Sequence, residues 1–196
     1  MLKLNDVEVG YKNVSLIRKV NLEIKAGALY ILTGENGCGK TTLLKMIAGC
    51  IEPLKGEIYE ENIKIGYLPY NPQYPVFMNS YKYLSLFGRR FKKDHIKFAL
   101  KYNLTNVLIN KLSKGNLIKL GLIQMLLCDF DIYLFDEIND GLDVDSKKIF
   151  KEEVKSLLED NKTVFISTHS PQMYKDLQPI KISIKDGKLY EKKKWF

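Results

Sequence analysis

No apolar run in this chain approaches the roughly 18 residues that a membrane-crossing helix needs. The most apolar stretch, Leu117 to Leu127, is too short and carries Lys119 and Gln124. Such a chain is expected to be soluble, or held at a membrane by a partner. Cysteine is scarce, with three in 196 residues. With no signal-like start, that implies a reducing compartment rather than a disulfide framework. No internal repeat, low-complexity tract or linker interrupts the sequence. The length fits one sizeable domain or two small ones, and a hydrophobic content of 45% is enough for a real core. Net charge is +8, from 31 basic and 23 acidic residues. A basic balance suits nucleic acid or an anionic membrane surface, but also a lysine-rich solvated surface. The longest basic run, Lys192-Lys193-Lys194, is short and terminal. It favours the solvated surface, and no nucleic-acid partner is expected.

The most informative stretch is Gly34-Glu35-Asn36-Gly37-Cys38-Gly39-Lys40-Thr41-Thr42. It matches G-x-x-x-x-G-K-[ST] at every fixed position. Ala28 to Thr33 reads as a buried strand before it, and Thr42 to Ala48 as a helix after it, closed by Gly49. Glycines let the backbone wrap phosphate oxygens at φ values that other residues resist. Successive N–H groups then point inward, and the helix N-terminus adds positive potential. In that motif Lys40 reaches the β- and γ-phosphates and the Thr41 hydroxyl ligates Mg²⁺.

Around this loop the pattern is mixed α/β. Leu2, Leu4, Val7 and Val9 suit a first strand, with Tyr11 in a turn after Gly10, and Val20 to Lys25 alternates strictly. Glu57 to Tyr59 and Ile63 to Leu68 are short strands, followed by a loop with three prolines, Pro69 to Pro75. From there to about Leu127 the pattern is helical, with Asn79 or Ser80 and Asp94 as N-caps. Strands return at Ile132 to Phe135 and Thr163 to Ser167, separated by a charged helix from Ser146 to Leu158. A hairpin turning at Asp186-Gly187 closes the chain. The expected architecture is a single α/β domain, a P-loop NTPase core of mixed β-sheet with flanking helices (roughly 1–74 and 128–196) and an inserted helical subdomain (roughly 75–127).

Ile132-Tyr-Leu-Phe-Asp136-Glu137 is an apolar strand ending in two carboxylates. Asp136 suits Mg²⁺, held through water, and Glu137 suits polarising an attacking water at the γ-phosphate. Leu112-Ser113-Lys114-Gly115-Asn116 opens the long apolar helix. Ser113 reads there either as an anion site or as a plain helix cap.

The order of these elements resembles a nucleotide-binding subunit of an ABC transporter, over essentially the whole chain. The series is Tyr11, the phosphate loop, the proline-rich loop, Leu112-Ser-Lys-Gly-Asn116, Phe135-Asp-Glu137, Gly141-Leu-Asp143 and Ser167-Thr-His169. The resemblance implies that two such subunits, identical or not, close head-to-tail around two ATP molecules with Mg²⁺. In it Tyr11 stacks on adenine, and Gly34 to Thr42 hold the phosphates. Ser113, Lys114, Gly115 and Asn116 cap the γ-phosphate held by the other subunit. Asp143 closes the loop crossing the dimer. Lys40, Glu137 and His169 are the catalytic residues, and Thr41 and Asp136 the metal-side residues.

The sequence departs from the family pattern in three places. Lys114 and Asn116 intrude where the signature usually reads Leu-Ser-Gly-Gly-Gln, and a lysine there resembles bacterial exporters of drugs and antimicrobial peptides. Ile138 stands where proline is common. Tyr70 occupies the place of a glutamine that reaches Mg²⁺, and Gln73 is the nearest substitute. The aromatics Tyr70, Tyr74, Phe77, Tyr81 and Tyr83, with Met78, lie where a membrane subunit docks in the family. They suit either that contact or the insert's own core. The expected function is an ATPase subunit driving a separate transmembrane permease, an exporter, from the cytoplasmic face of the cell membrane. The alternatives are a non-transport relative acting on DNA or the ribosome, and a low-turnover ATP sensor.

Overall fold

The computed structural model describes residues 2–192. Lys193 and Lys194 of the terminal basic run lie outside them. The chain forms two compact units, Met1–Tyr67 with Phe130–Glu137 and Lys155–Phe196, and Leu68–Asp129 with Ile138–Val154. The second is larger than the helical insert expected at 75–127.

The first unit carries two sheets. In the antiparallel one, β1 (Leu2–Tyr11) lies between β2 (Val14–Ile24) and β4 (Lys55–Glu60). Leu2 and Leu4 sit on even positions and Val7 and Val9 on odd ones, yet all four are buried. A bulge reconciles them. The register shifts between Leu4 and Val7, and Asp6 takes φ +47° while its backbone N–H donates to Asn21 Oδ1 at 3.0 Å. Tyr11 is the last strand residue and pairs with Val14, so the turn falls on Lys12 and Asn13, both at positive φ. That two-residue loop matches the twist of the flanking strands better than a turn at Gly10 and Tyr11.

The second sheet has the order β5-β6-β7-β3-β8-β9. Its strands are β3 (Leu29–Gly34), β5 (Ile65–Leu68), β6 (Ile132–Asp136), β7 (Thr163–Ser167), β8 (Ile180–Lys185) and β9 (Lys188–Lys192). The strands β6, β7 and β3 of the parallel run carry continuous buried stretches covered on both faces, while β8, parallel to β3, alternates Ile with Lys and Ser and is only partly buried. Tyr30 of β3 and Phe165 of β7 are register partners, and their rings stack with centroids 4.4 Å apart. The β8–β9 hairpin turns at Asp186 (φ +50°) and Gly187 (φ +68°), as expected. Helix α1 (Lys40–Ile47) follows the phosphate loop. The one-turn-after-another 3₁₀ segment Pro171–Leu177 was not legible in the sequence, because three-residue periodicity over seven residues leaves no helical stripe.

The second unit holds α2 (Ser80–Phe91), α3 (His95–Lys101) and α4 (Lys114–Leu127). Asn79 and Asp94 cap α2 and α3 through their side chains. Helix α4 is apolar on nearly every side and correspondingly buried, including Ile118, Leu120, Leu122 and Ile123. It draws neighbours into this unit. Leu68 and Tyr74 fill the space against Gly121, and Gly141 packs on Ile118. The segment Ile138–Val154 therefore belongs with the insert, including the start of α5 (Val144–Glu159). Among the described residues no helix is long and apolar enough to cross a membrane.

Candidate functional site

The phosphate loop leaves the end of β3, beside the C-terminal ends of β6 and β7. Gly39 caps α1 at φ +108° with no side-chain cap, and a Cβ there would press within 3.2 Å of Ile17. Gly34 takes φ +156°, and a Cβ there would meet Cys38 Sγ at 2.6 Å. The loop thus needs glycine at both ends, and leaves the first N–H groups of α1 to a ligand. A cleft of about 420 Å³ opens here, lined by Leu16, Asn36, Gly37, Gly39 to Thr42, and Glu137. Glu35 and Asn36 are exposed and Cys38 is half-buried, its N–H donating to Glu35 O at 3.3 Å.

Lys40 is buried, and its Nζ donates to Gly34 O (3.0 Å) and Glu35 O (3.2 Å). The same Nζ pairs with Glu137 Oε1 at 3.2 Å. His169 Nε2 lies 3.4 Å from that carboxylate oxygen. Lys40, Glu137 and His169 therefore meet at one point beside the cleft. Thr41 Oγ1 donates to Asp136 Oδ2 at 2.7 Å. A hydroxyl and a buried carboxylate at that distance form a pair of hard oxygen donors, which suits Mg²⁺. Asp136 receives two further hydroxyl bonds, from Ser167 Oγ to Oδ1 (2.6 Å) and from Tyr67 Oη to Oδ2 (3.3 Å). Burial and the adjacent Asp136 charge hold the Tyr67 phenol protonated well above its ordinary range. Neither Tyr67, Ser167 nor Leu16 was singled out by sequence reasoning. Ser167 stood in a motif read for its histidine, and nothing in the sequence marked the other two.

Tyr11 ends β1 and is 60% exposed, and Lys12 Nζ lies 5.5 Å from its ring centroid. An aromatic face this open is available to stack on a base.

In the second unit Ser113 is the N-cap of α4, its Oγ accepting the Asn116 N–H at 3.3 Å. Lys114 donates to Tyr70 Oη at 2.6 Å, with its Nζ 3.9 Å from the Tyr70 ring centroid. Two of the residues that depart from the family pattern are thus bonded to each other. Gly115 and Asn116 form the first turn of α4. Gln73 is exposed in the loop after Tyr70. Asp143 accepts the Ser146 N–H at 2.8 Å and pairs with the buried Lys119 at 2.6 Å. The Lys119 hydrogen bond, then the Ser146 N–H, hold its carboxyl well below the usual carboxylate range.

A depressed folded-state pKa stabilises the fold above the unfolded value of about 4 and is lost as pH falls below it. Asp143→Asn should therefore cost about 1 kcal/mol at pH 7, because Asp143 is over half exposed and solvent screens the pair. That cost should shrink as the pH is lowered from 5 to 3. Urea midpoints of both proteins across that range check it, and a pH-independent difference would contradict the ion pair.

The aromatics of the 70–83 stretch divide. Tyr74 and Tyr83 pack edge-to-face at 5.5 Å, Tyr83 Oη donates to Gln124 Oε1 at 2.7 Å, and Tyr81 Oη donates to Leu104 O at 3.1 Å. These three are half-buried and pack within the second unit. Phe77 faces outward, 88% exposed, beside a surface cleft of about 460 Å³ that Val76, Met78, Lys82 and Leu108 also line.

Residues 17–139 match the family model for ABC transporters. The chain belongs to the ABC transporter family. It is an ATP-binding subunit of that family and an ATPase. Among its relatives is an uncharacterised ABC transporter ATP-binding protein of Methanocaldococcus jannaschii, 30% identical over 197 residues, spanning 95% of this chain and 75% of that protein. Another is the ATP-binding protein ZnuC of a high-affinity zinc uptake system in Bacillus subtilis, 30% identical over 194 residues, spanning 86% and 84%. The fold matches a solved dimeric ATP-binding cassette bound to ADP and Pi, with a TM-score of 0.86 at 24% identity over the full length of both chains.

Proposed function

We propose that this chain hydrolyses ATP to drive a separate membrane-spanning permease, working as one of a pair of ATPase subunits. The observation that carries the reading is the meeting of Lys40, Glu137 and His169 beside the phosphate cleft. ATP enters with its base on the open face of Tyr11 and its phosphates along Gly34 to Thr42. The N–H groups of the loop and the Lys40 ammonium oppose the phosphate charge. Thr41 and Asp136 would hold Mg²⁺, which supplies charge neutralisation at the phosphate oxygens. Glu137 accepts a proton from the attacking water, and His169 steadies the carboxylate at the same oxygen that Lys40 holds. The partner subunit supplies its own Ser113 to Asn116 turn over the γ-phosphate, and Asp143 closes the loop between the two.

Tyr70 is engaged by Lys114, and a phenol is a poor metal ligand, so Gln73 takes the metal-sensing place in this loop. The Tyr70–Lys114 pair also favours a second reading, in which the isolated chain binds ATP and turns over slowly until a partner parts the pair.

The permease docks at Phe77. An aromatic so exposed beside an apolar cleft suits a buried anchor in a protein contact. Docked there, the chain lies at the cytoplasmic face of the membrane. Export of drug, peptide or lipid-like cargo is the direction we assign, on the exporter-like Lys114.

Co-purification of the chain with a membrane protein, and stimulation of its ATPase by that protein, test this reading. Phe77→Asp should abolish both while leaving the ATPase of the isolated chain unchanged. Retention of the membrane protein by the variant would remove Phe77 as the anchor. Salt-sensitive DNA binding without any membrane partner would favour the non-transport alternative.

A further inference from the structure

Ser167 is the last residue of β7 and is fully buried. A valine or isoleucine would continue the apolar run Val164-Phe165-Ile166 at this place, so burying a hydroxyl here needs a reason. The parallel register sets Ser167 opposite Asp136. Its Oγ donates to Asp136 Oδ1 at 2.6 Å and accepts the Glu137 N–H at 2.9 Å. The Ser167 carbonyl receives that same N–H at 3.1 Å. Glu137 needs the restraint. Its φ of +52° is a left-handed conformation that an L-residue other than glycine holds only where the surroundings over-determine it. One atom that both donates and accepts thus fixes two successive residues, the carboxylate of the first and the strained backbone of the second. A methyl or a thiol at 167 cannot do both well.

We propose that Ser167 is a positioning residue of the ATPase reaction. It sets the offset between the metal-side carboxylate of Asp136 and the water-polarising carboxylate of Glu137. Thr41 and Tyr67 hold the other oxygen of Asp136, so Ser167 is what ties that carboxylate to Glu137. This inference rests on the roles given above to Asp136 and Glu137.

The test uses the whole chain. Ser167→Ala should lower kcat about tenfold or more, the usual loss when a group orienting a site ligand is removed, with KM within twofold. Ser167→Cys keeps the volume and should show the same split, so the comparison survives if the alanine variant folds poorly. In a Glu137→Gln background Ser167→Ala should remove a clearly smaller fraction of the turnover than in the parent, because the group it orients no longer acts as a base and only its hold on Asp136 is left to lose. The rise in melting temperature produced by ATP in EDTA should be unchanged, and the added rise on Mg²⁺ should shrink. Parental kcat in both Ser167 variants overturns the proposal. So does an equal fractional loss in the parent and Glu137→Gln backgrounds, which is what a merely structural serine would give. If Glu137→Gln itself keeps parental turnover, the role of Glu137 is what fails, and an undiminished Mg²⁺-dependent melting shift would then remove Ser167 from Asp136 as well.

Discussion

Glu137→Gln is expected to lower turnover by roughly 10²–10⁴-fold, the usual cost of losing general-base assistance, while leaving ATP binding intact. The left-handed backbone at 137 is secured through its N–H to Ser167, so replacing the side chain should not disturb it. Glutamine keeps the shape, and its amide oxygen can still accept from Lys40, but the negative charge and the basicity are gone. Lys40, Thr41 and Asp136 remain to bind the phosphates. ATP should then persist in the closed pair, each nucleotide bridging Lys40 of one chain and the Ser113 turn of the other. On a sizing column with Mg²⁺-ATP the variant should run as a dimer and the parent mostly as a monomer. Adding Ser113→Arg should abolish that dimer, because a bulky cation would fill the cap and Ser113 already sits at the tip of α4. Parental hydrolysis by Glu137→Gln would remove it as the base. Tight ATP binding by a protein that stays monomeric would count against a pair of like subunits, and direct the search to a different partner chain.

Lys40→Ala should lose most ATP affinity. Opposite unit charges about 4 Å apart interact by about 4 kcal/mol at an effective dielectric of 20, which converts to about 10³-fold in affinity as an upper figure for an open cleft. The structure adds a second consequence. Lys40 is buried and its Nζ pairs with Glu137, so its removal leaves that carboxylate facing the γ-phosphate without this cation. Repulsion then adds to lost attraction, and ADP, which lacks the γ-phosphate, should be affected less than ATP. Titration of both nucleotides at physiological salt measures the difference. Unchanged ATP affinity would remove Lys40 from the site. An equal loss for ATP and ADP would show that Glu137 does not face the γ-phosphate.

The sequence by itself determined the phosphate loop with its flanking strand and helix, because that chemistry is local. Glycine at 34 and 39, lysine at 40 and threonine at 41 must follow one another to wrap a backbone around phosphate. It also determined the buried strands ending at Asp136 and Ser167, from their continuous apolar runs, and the cap at Asp94, while Asn79 stood as one of two candidates with Ser80 and Ser113 read either as a cap or as an anion site. The alternation in β1 was legible too, but not the bulge at Asp6 that lets residues on both parities face inward. What only the tertiary structure decided is which side chains meet. Ser167 and Tyr67 reach Asp136 from 31 and 69 positions away, and Lys114 reaches Tyr70 across 44. The aromatics between Tyr70 and Tyr83 carried no mark of which would turn into the core and which, like Phe77, would face out. Periodicity and caps report on a residue's neighbours within a turn or a strand. Strand order, register and the small residue at Gly121 set the longer contacts, and they exist only once the chain has folded.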